Sequence, residues 1–351
     1  MHVPDGFIDA PVSAAAGVVA AGAVAVSLRG ARRELDERTA PLAGLVAAFI
    51  FAVQMLNFPV AAGTSGHLLG GALAAILVGP YTGVLCISVV LLMQGILFAD
   101  GGLTALGVNI TVMGVTTTVV SYALFRGLAT VLPRTRRSTT AAAFVAALIS
   151  VPAAACVFTL IYWIGGTTDI PIGKVLTAMV GVHILIGIGE AVITGLTVGA
   201  VIAVRPDLVH GARGLTSPLK LRIGGELVDA PARRSVAPAA ARSTRGLWAT
   251  GLVTALVLAG FVSFYASANP DGLEKVAADK GIDKRVEEHA AKDSPLADYG
   301  VKDISDERLS GGLAGVIGVG ATIVVGSGVF WAVRRRRTPD AAADIRTKEA
   351  V

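Results

Sequence analysis

The 351 residues are 54% hydrophobic and only 16% charged, with a mean hydropathy of +0.70. Soluble domains carry about a quarter of their residues as charges, so this composition excludes an ordinary soluble enzyme and points to an all-α polytopic membrane protein. The net charge of +5 is no nucleic-acid footprint, because the Arg residues cluster beside apolar segments, and the two cysteines sit inside apolar runs, away from any disulfide framework or Cys-x-x-Cys site.

The chain opens on Met1-His2. A His at position 2 lets the terminal amine, the deprotonated His2 backbone nitrogen and the His2 ring Nδ1 face one metal ion. Five- and six-membered chelate rings close, and one in-plane position stays free. Nitrogen-rich tetragonal sites suit Ni²⁺ or Cu²⁺ and accept Co²⁺. Alone the dipeptide is a weak signal, since most His residues at position 2 bind nothing. Pro4, Asp5 and Asp9 precede the first apolar run where a signal peptide would carry Lys or Arg. The expectation is a mature chain that begins at residue 1 and keeps its Met.

About 20 apolar residues span a bilayer. Runs of that order fall at roughly 10–28, 41–58, 80–98, 104–125, 139–164, 174–204, 246–266 and 311–333, with a shorter one at 67–79. Counting the short run gives about nine transmembrane helices, a seven-helix bundle followed by a two-helix module. The positive-inside rule tests that count. The basic clusters at 29–38, 126–137, 205–245 and 334–337 share one side only if 67–79 crosses, and the connections 57–66, 99–103 and 165–172 hold no Lys or Arg. The N-terminus is then outside and the C-terminus cytoplasmic. Domain expectations are a membrane domain at 1–205, a cytoplasmic linker at 206–245, the two-helix module at 246–337 and a cytoplasmic tail at 338–351. The extracytoplasmic loop 267–310, with eleven acidic and seven basic residues, is expected to be mainly solvated, with cation attraction as its second use.

His67 follows Gly63-Thr64-Ser65-Gly66 on the outer face, and balances evenly between a fourth metal ligand and a polar helix start capped by Thr64 or Ser65. Glu190 lies mid-span, where a carboxylate is a functional-site hypothesis by default. His183 is seven residues earlier on the same helical face, roughly 10 Å away, too far to share one ion with it. A relay competes there with a satisfied buried polar pair. Asn57, with Gln54, Gln94, Asp100 and Asn109, sits near an outer span end and either orients a ligand ring or bonds between helices. The small-residue face of the first span, Ala16-x-x-x-Ala20 and Gly17-x-x-x-Ala21, suits close helix packing. No Walker A sequence is present, so ATP must be used by another protein. An enzyme reading takes Gly63-Thr64-Ser65-Gly66 as the GxSG motif of a rhomboid-like intramembrane serine protease, with Ser65 as nucleophile and His183 as base. It leaves Met1-His2 and the last two spans without a role. A non-transporting metal-sensing membrane protein is the third class.

Four separated motifs carry a family resemblance: Met1-His2-Val3-Pro4-Asp5-Gly6-Phe7, Gly63-Thr64-Ser65-Gly66-His67-Leu68-Leu69-Gly70-Gly71, Phe98-Ala99-Asp100-Gly101-Gly102-Leu103-Thr104-Ala105-Leu106-Gly107, and His183-Ile184-Leu185-Ile186-Gly187-Ile188-Gly189-Glu190-Ala191. Together they resemble the CbiM/NikM family, the substrate-binding membrane components of cobalt and nickel energy-coupling-factor (ECF) transporters. Residues 246–337 look like the CbiN/NikN companion, on the signature Pro270-Asp271-Gly272-Leu273-Glu274 and on Ser294-Pro295-Leu296-Ala297-Asp298-Tyr299. The resemblance implies an N-terminal tail folded into the bundle and a planar four-nitrogen site. Its ligands would be the Met1 amine, the His2 backbone nitrogen, the His2 ring and the His67 ring. It also implies Co²⁺ or Ni²⁺ as the transported substrate, no organic cofactor, a CbiQ/NikQ-like coupling subunit and CbiO/NikO-like ATPases. The surroundings are the prokaryotic cell membrane, with no nucleic acid.

Overall fold

The computed structural model describes residues 1–37, 39–61, 63–213, 220–223, 226–229 and 244–335. In hydrocarbon a backbone must satisfy its own hydrogen bonds, so apolar crossings become helices. The first, α1 (Ala10–Glu34), begins where Asp9 accepts a hydrogen bond from Val12 N. The second, α2 (Thr39–Gln54), is shorter and almost wholly buried. A hairpin of β1 (Phe58–Ala61) and β2 (Thr64–Gly66) follows, then α3 (Gly71–Val78) and α4 (Pro80–Leu97). Next, α5 (Leu106–Asn109), a π-helical stretch Ile110–Thr116 and α6 (Thr117–Val131) run on as one apolar rod. The long helices α7 (Arg136–Gly165) and α8 (Ile172–Val204) pack against each other. A small hairpin pairs β3 (Lys220–Ile223) with β4 (Glu226–Asp229). The chain then forms α9 (Arg245–Gly260), α10 (Gly272–Lys280) and α11 (Glu307–Arg335). Most of the expected linker 206–245, and all of the expected tail 338–351, lie outside the described residues.

Among the described residues, seven helices are long and apolar enough to cross a membrane, and Thr39–Gln54 is a shorter apolar one. The fold is thus that of a mostly helical, multi-pass membrane protein. The expected span at 67–79 differs. Its helix α3 has eight residues, about 12 Å of rise against about 30 Å of hydrocarbon. The chain nevertheless passes there between the two ends of the bundle. His67 lies beside Met1 at one end, while Thr82, just past α3, donates to Glu34 at the far end of α1. A non-helical stretch, 67–70, precedes α3 and makes up the rest of this passage.

That stretch leaves backbone groups unpaired at depth, and two side chains answer them. The Glu190 carboxylate accepts from Leu69 N at 2.6 Å and Gly70 N at 3.0 Å, and Gln54 Nε2 donates to the Leu69 carbonyl at 3.0 Å. The mid-span carboxylate therefore replaces the missing helical acceptors. At the other end Glu34 accepts from Tyr81 N, Thr82 N and the Thr82 hydroxyl, capping α4. Gly79, between α3 and α4, has φ +105° and abuts the Glu34 carboxyl group, so the turn requires glycine.

The loop 267–310 departs from the solvated segment expected of its charge. Leu273, Val276, Ala277 and Ile282 are buried, and α10 packs on α8 and β2. Apolar residues spaced three and four apart give α10 one buried face, while its charges point away. The helix α11 packs on α2 and α9. Small residues allow close approach of α11 to α9: a Cβ on Gly315 would sit 2.4 Å from the Ala259 carbonyl oxygen. Part of the small-residue face of α1 also packs within the chain, since a Cβ on Gly107 would meet Gly17 Cα at 2.4 Å.

Candidate metal centre

The nine residues before α1 turn back into the bundle and are held there by polar side chains from two other segments. Val3 N donates to Asn109 Oδ1 at 2.7 Å, and Asn109 Nδ2 returns a bond to the Val3 carbonyl at 3.0 Å. Gly102 N also donates to that carbonyl, and Asp5 accepts from Thr104 N at 2.8 Å. Gly102 lies so close to Asp5 that a Cβ there would be 2.3 Å from Asp5 N. Met1, Val3 and Phe7 are buried as a result.

The tail delivers the terminal amine to His67. Met1 N lies 2.5 Å from His67 Nε2 and 2.7 Å from Asp271 Oδ2. The opposite ring nitrogen, His67 Nδ1, is 2.9 Å from the Leu68 carbonyl. A carbonyl only accepts, so Nδ1 carries a hydrogen, and this bond fixes the ring with Nε2 facing Met1. The His2 ring stacks on the His67 ring, with centroids 5.0 Å apart and planes at 18°. Its Nε2 lies 3.1 Å from Gln94 Oε1 and its Nδ1 3.3 Å from Asp100 Oδ1. Burial lowers the His2 pKa to about 4, outweighing the attraction of Asp100, so the ring is neutral near pH 7.

Asp271 is the site residue that sequence reasoning missed. It is the N-cap of α10, and its Oδ1 accepts from Leu273 N and Glu274 N. The Glu274 side chain returns a bond from Asp271 N, completing a capping box. With Oδ1 engaged, Oδ2 is the oxygen presented to the Met1 amine and, at 3.5 Å, to His67 Nε2. Burial alone would raise this carboxyl, but the adjacent ammonium and His67 hold it well below the usual carboxylate range. Ligand atoms of His2, His67 and Asp271 all fall within 4.8 Å of one another. The available signal was the signature Pro270-Asp271-Gly272-Leu273-Glu274, which marks the companion module but not a contact with Met1.

Tyr299, from the same loop, covers the far side of the site. Its hydroxyl donates to Asp100 Oδ2 at 2.6 Å and its ring stacks on Phe98. Burial and the Asp100 charge push its phenol well above the usual tyrosine value.

The remaining candidates take other places. Ser65 is a docking point: its hydroxyl donates to the Asn269 carbonyl at 2.8 Å, and its amide donates to the Pro270 carbonyl at 2.8 Å. His183 is fully buried and donates from Nδ1 to the Met179 carbonyl at 2.7 Å. The Ser65 hydroxyl is thus turned to a loop carbonyl, and the two side chains do not form the hydrogen-bonded nucleophile and base of a protease. Glu190 binds backbone rather than the amine cluster. Asn57 lines the cavity beside the site, and its carbonyl accepts from Ser267 N.

Residues 2–208 match the family model described as the cobalt uptake substrate-specific transmembrane region, CbiM. The chain belongs to the CbiM family. Residues 245–335 match a second model, the PDGLE domain. A putative metal transport protein of Haloquadratum walsbyi is 39% identical over 209 residues, covering 60% of this chain and 93% of that one. A putative fused nickel transport protein of Archaeoglobus fulgidus is 42% identical over 212 residues, covering 60% of this chain and 68% of that one. A crystal structure described as a truncated transition metal transporter is 27% identical, with a TM-score of 0.51, and covers 58% of this chain and 99% of that one. As a CbiM chain joined to a PDGLE domain, the protein is a component of metal transport and not an enzyme. His2 and His67 belong to the CbiM match and Asp271 to the PDGLE match, so the amine cluster is assembled across the two.

Proposed function

We propose that this chain takes up Co²⁺ or Ni²⁺ as the substrate-binding membrane component of an ECF-type ABC transporter. The observation that supports this most directly is the convergence of a buried terminal amine, His2 and His67 at one point. The metal would sit in a planar four-nitrogen site built from the Met1 amine, the His2 backbone nitrogen, the His2 ring and His67 Nε2. Such a donor set favours Ni²⁺ and accepts Co²⁺. Three of the four nitrogens come from one dipeptide, so a single short segment would carry them. The fourth is aimed by the His67 bond to Leu68. Ligand protons must leave, so affinity rises with pH.

In this reading the N-terminus faces outward and the C-terminus the cytoplasm, in a prokaryotic cell membrane. Residues 1–205 hold the metal, 206–245 link, and 246–337 form the CbiN/NikN-like module. ATP is hydrolysed by CbiO/NikO-like subunits through a CbiQ/NikQ-like coupling subunit, in keeping with a sequence that has no Walker A motif. The test is metal analysis of purified protein, with metal accumulation measured in cells that carry the partner subunits. The His67→Ala variant is expected to insert normally, lose tightly bound metal and abolish accumulation. Wild-type metal content in that variant would overturn the site.

A further inference from the structure

A groove of about 960 Å³ runs between the first turns of α7 and the last turns of α8. Arg136 and Arg137, the first two residues of α7, stand at its mouth. Below them the walls are apolar and exposed, with Ala141 and Val145 on one side and Leu196 and Ala203 on the other. From Arg136 to Val145 a helix rises about 14 Å, close to half of the roughly 30 Å of hydrocarbon in a bilayer. The groove thus has the depth of one leaflet, with its charge at the water end.

That charge is unbalanced. No carboxylate stands in the walls. Helix α7 contains no acid, and Glu190, the one acid of α8, is turned to Leu69 N and Gly70 N. Neither Arg136 nor Arg137 has an ion-pair partner among the described residues. Guanidinium groups bind phosphate through paired N–H donors, and basic pockets between membrane helices take anionic headgroups. We propose that this groove holds one anionic phospholipid, its phosphate on Arg136 and Arg137 and an acyl chain between α7 and α8. A transmembrane helix of a partner suits the groove less. Such a helix would use the small-residue face Gly195-x-x-x-Gly199, but α7 already occupies it. A Cβ on Gly195 would lie 3.5 Å from Phe144, and one on Gly199 3.4 Å from Thr140. The lipid site is independent of the nitrogen cluster and ties the α7–α8 pair to one leaflet.

The probe is phosphatidylglycerol, present as a minor share of phosphatidylcholine nanodiscs that hold the full chain. Native mass spectrometry then counts the lipids that stay bound. Wild type is expected to retain one phosphatidylglycerol, enriched over its share of the bilayer. Arg136→Gln combined with Arg137→Gln should lower that enrichment about thirtyfold, roughly fivefold for each arginine. Ala141→Phe fills the groove, keeps both charges and should displace the lipid as well. Ala141 is exposed, so this variant gives a readout even where the double arginine variant folds poorly. Arg29→Gln combined with Arg33→Gln, at exposed positions of α1, should leave retention unchanged. Equal retention of the two lipids by wild type overturns the site. So does an equal loss in the α1 variant, which would reduce the effect to general charge attraction. Wild-type retention in Ala141→Phe would separate the lipid from the groove and overturn the proposal too. Lipid-free pairing of two chains that Ala141→Phe abolishes would assign the groove to a helix instead.

Discussion

The carboxylate of Asp271 lies 2.7 Å from the amine of Met1, across 270 residues of sequence. Both groups are buried, so each depends on the other for its charge to be tolerated. Removing one partner of such a pair typically costs about 3–5 kcal/mol, because the other charge is left buried and alone. Asp271→Ala should therefore lower the thermal stability of the apo protein markedly and free the 267–310 loop for proteolysis. Asp271→Asn, which keeps an oxygen for the helix cap, should cost less. Thermal unfolding in detergent with limited proteolysis checks this. Equal stability of Asp271→Ala and wild type would mean that the pair does not hold the module.

Glu190 carries the second prediction. Both of its oxygens accept backbone N–H groups of the non-helical stretch beside His67. In Glu190→Gln one acceptor becomes an NH₂ group facing a backbone donor. The expected loss is about 1–3 kcal/mol, the usual penalty for an unsatisfied buried polar group. Weaker metal binding should accompany it, as the His67 segment shifts. Unchanged melting and unchanged metal content would contradict this role.

The sequence exposes most of this architecture and part of the site. Runs of some 20 apolar residues mark long helices directly, because the bilayer fixes their length. The apolar run 67–79 was legible in the sequence, but its form, a non-helical start and an eight-residue helix, was not. That form depends on Glu190, a residue 120 positions away whose partner no spacing rule reveals. Met1, His2 and His67 stand out by residue type. Asp271 stood in a recognisable signature of the companion module, which gave no sign that its second oxygen meets the Met1 amine. The buried face of α10 was masked by the charge around it: averaging eleven acids and seven bases over 267–310 hides Leu273, Val276 and Ala277.

The pH dependence of apo stability follows from His2 and Asp271 in separate windows. The His2 pKa falls from 6.5 to about 4 on folding, so between those values the unfolded chain holds a proton that the folded chain does not. Stability from this group is complete above pH 6.5 and declines as pH drops toward 4, by about 3 kcal/mol at most. Asp271 has the depressed value of a paired carboxylate. Its contribution is complete above the ordinary value of 3.8 and is lost only below it, as pH falls through the folded value. Thermal denaturation between pH 7 and pH 4 should thus show a steeper acid slope for wild type than for His2→Ala. Parallel slopes would contradict the burial of a neutral His2 ring.

The central claim is that the free N-terminus is itself a ligand, and one comparison tests it most directly. A single extra residue ahead of Met1 turns the amine into an amide and moves His2 out of chelating position, leaving both histidines in the chain. Ni²⁺ is titrated into the wild-type and extended proteins, with mass spectrometry verifying each N-terminus and absorption reporting the geometry. The account predicts one tightly bound ion with a planar four-nitrogen spectrum in wild type, and loss of both in the extended protein. Tight binding with the same spectrum in the extended protein would contradict it.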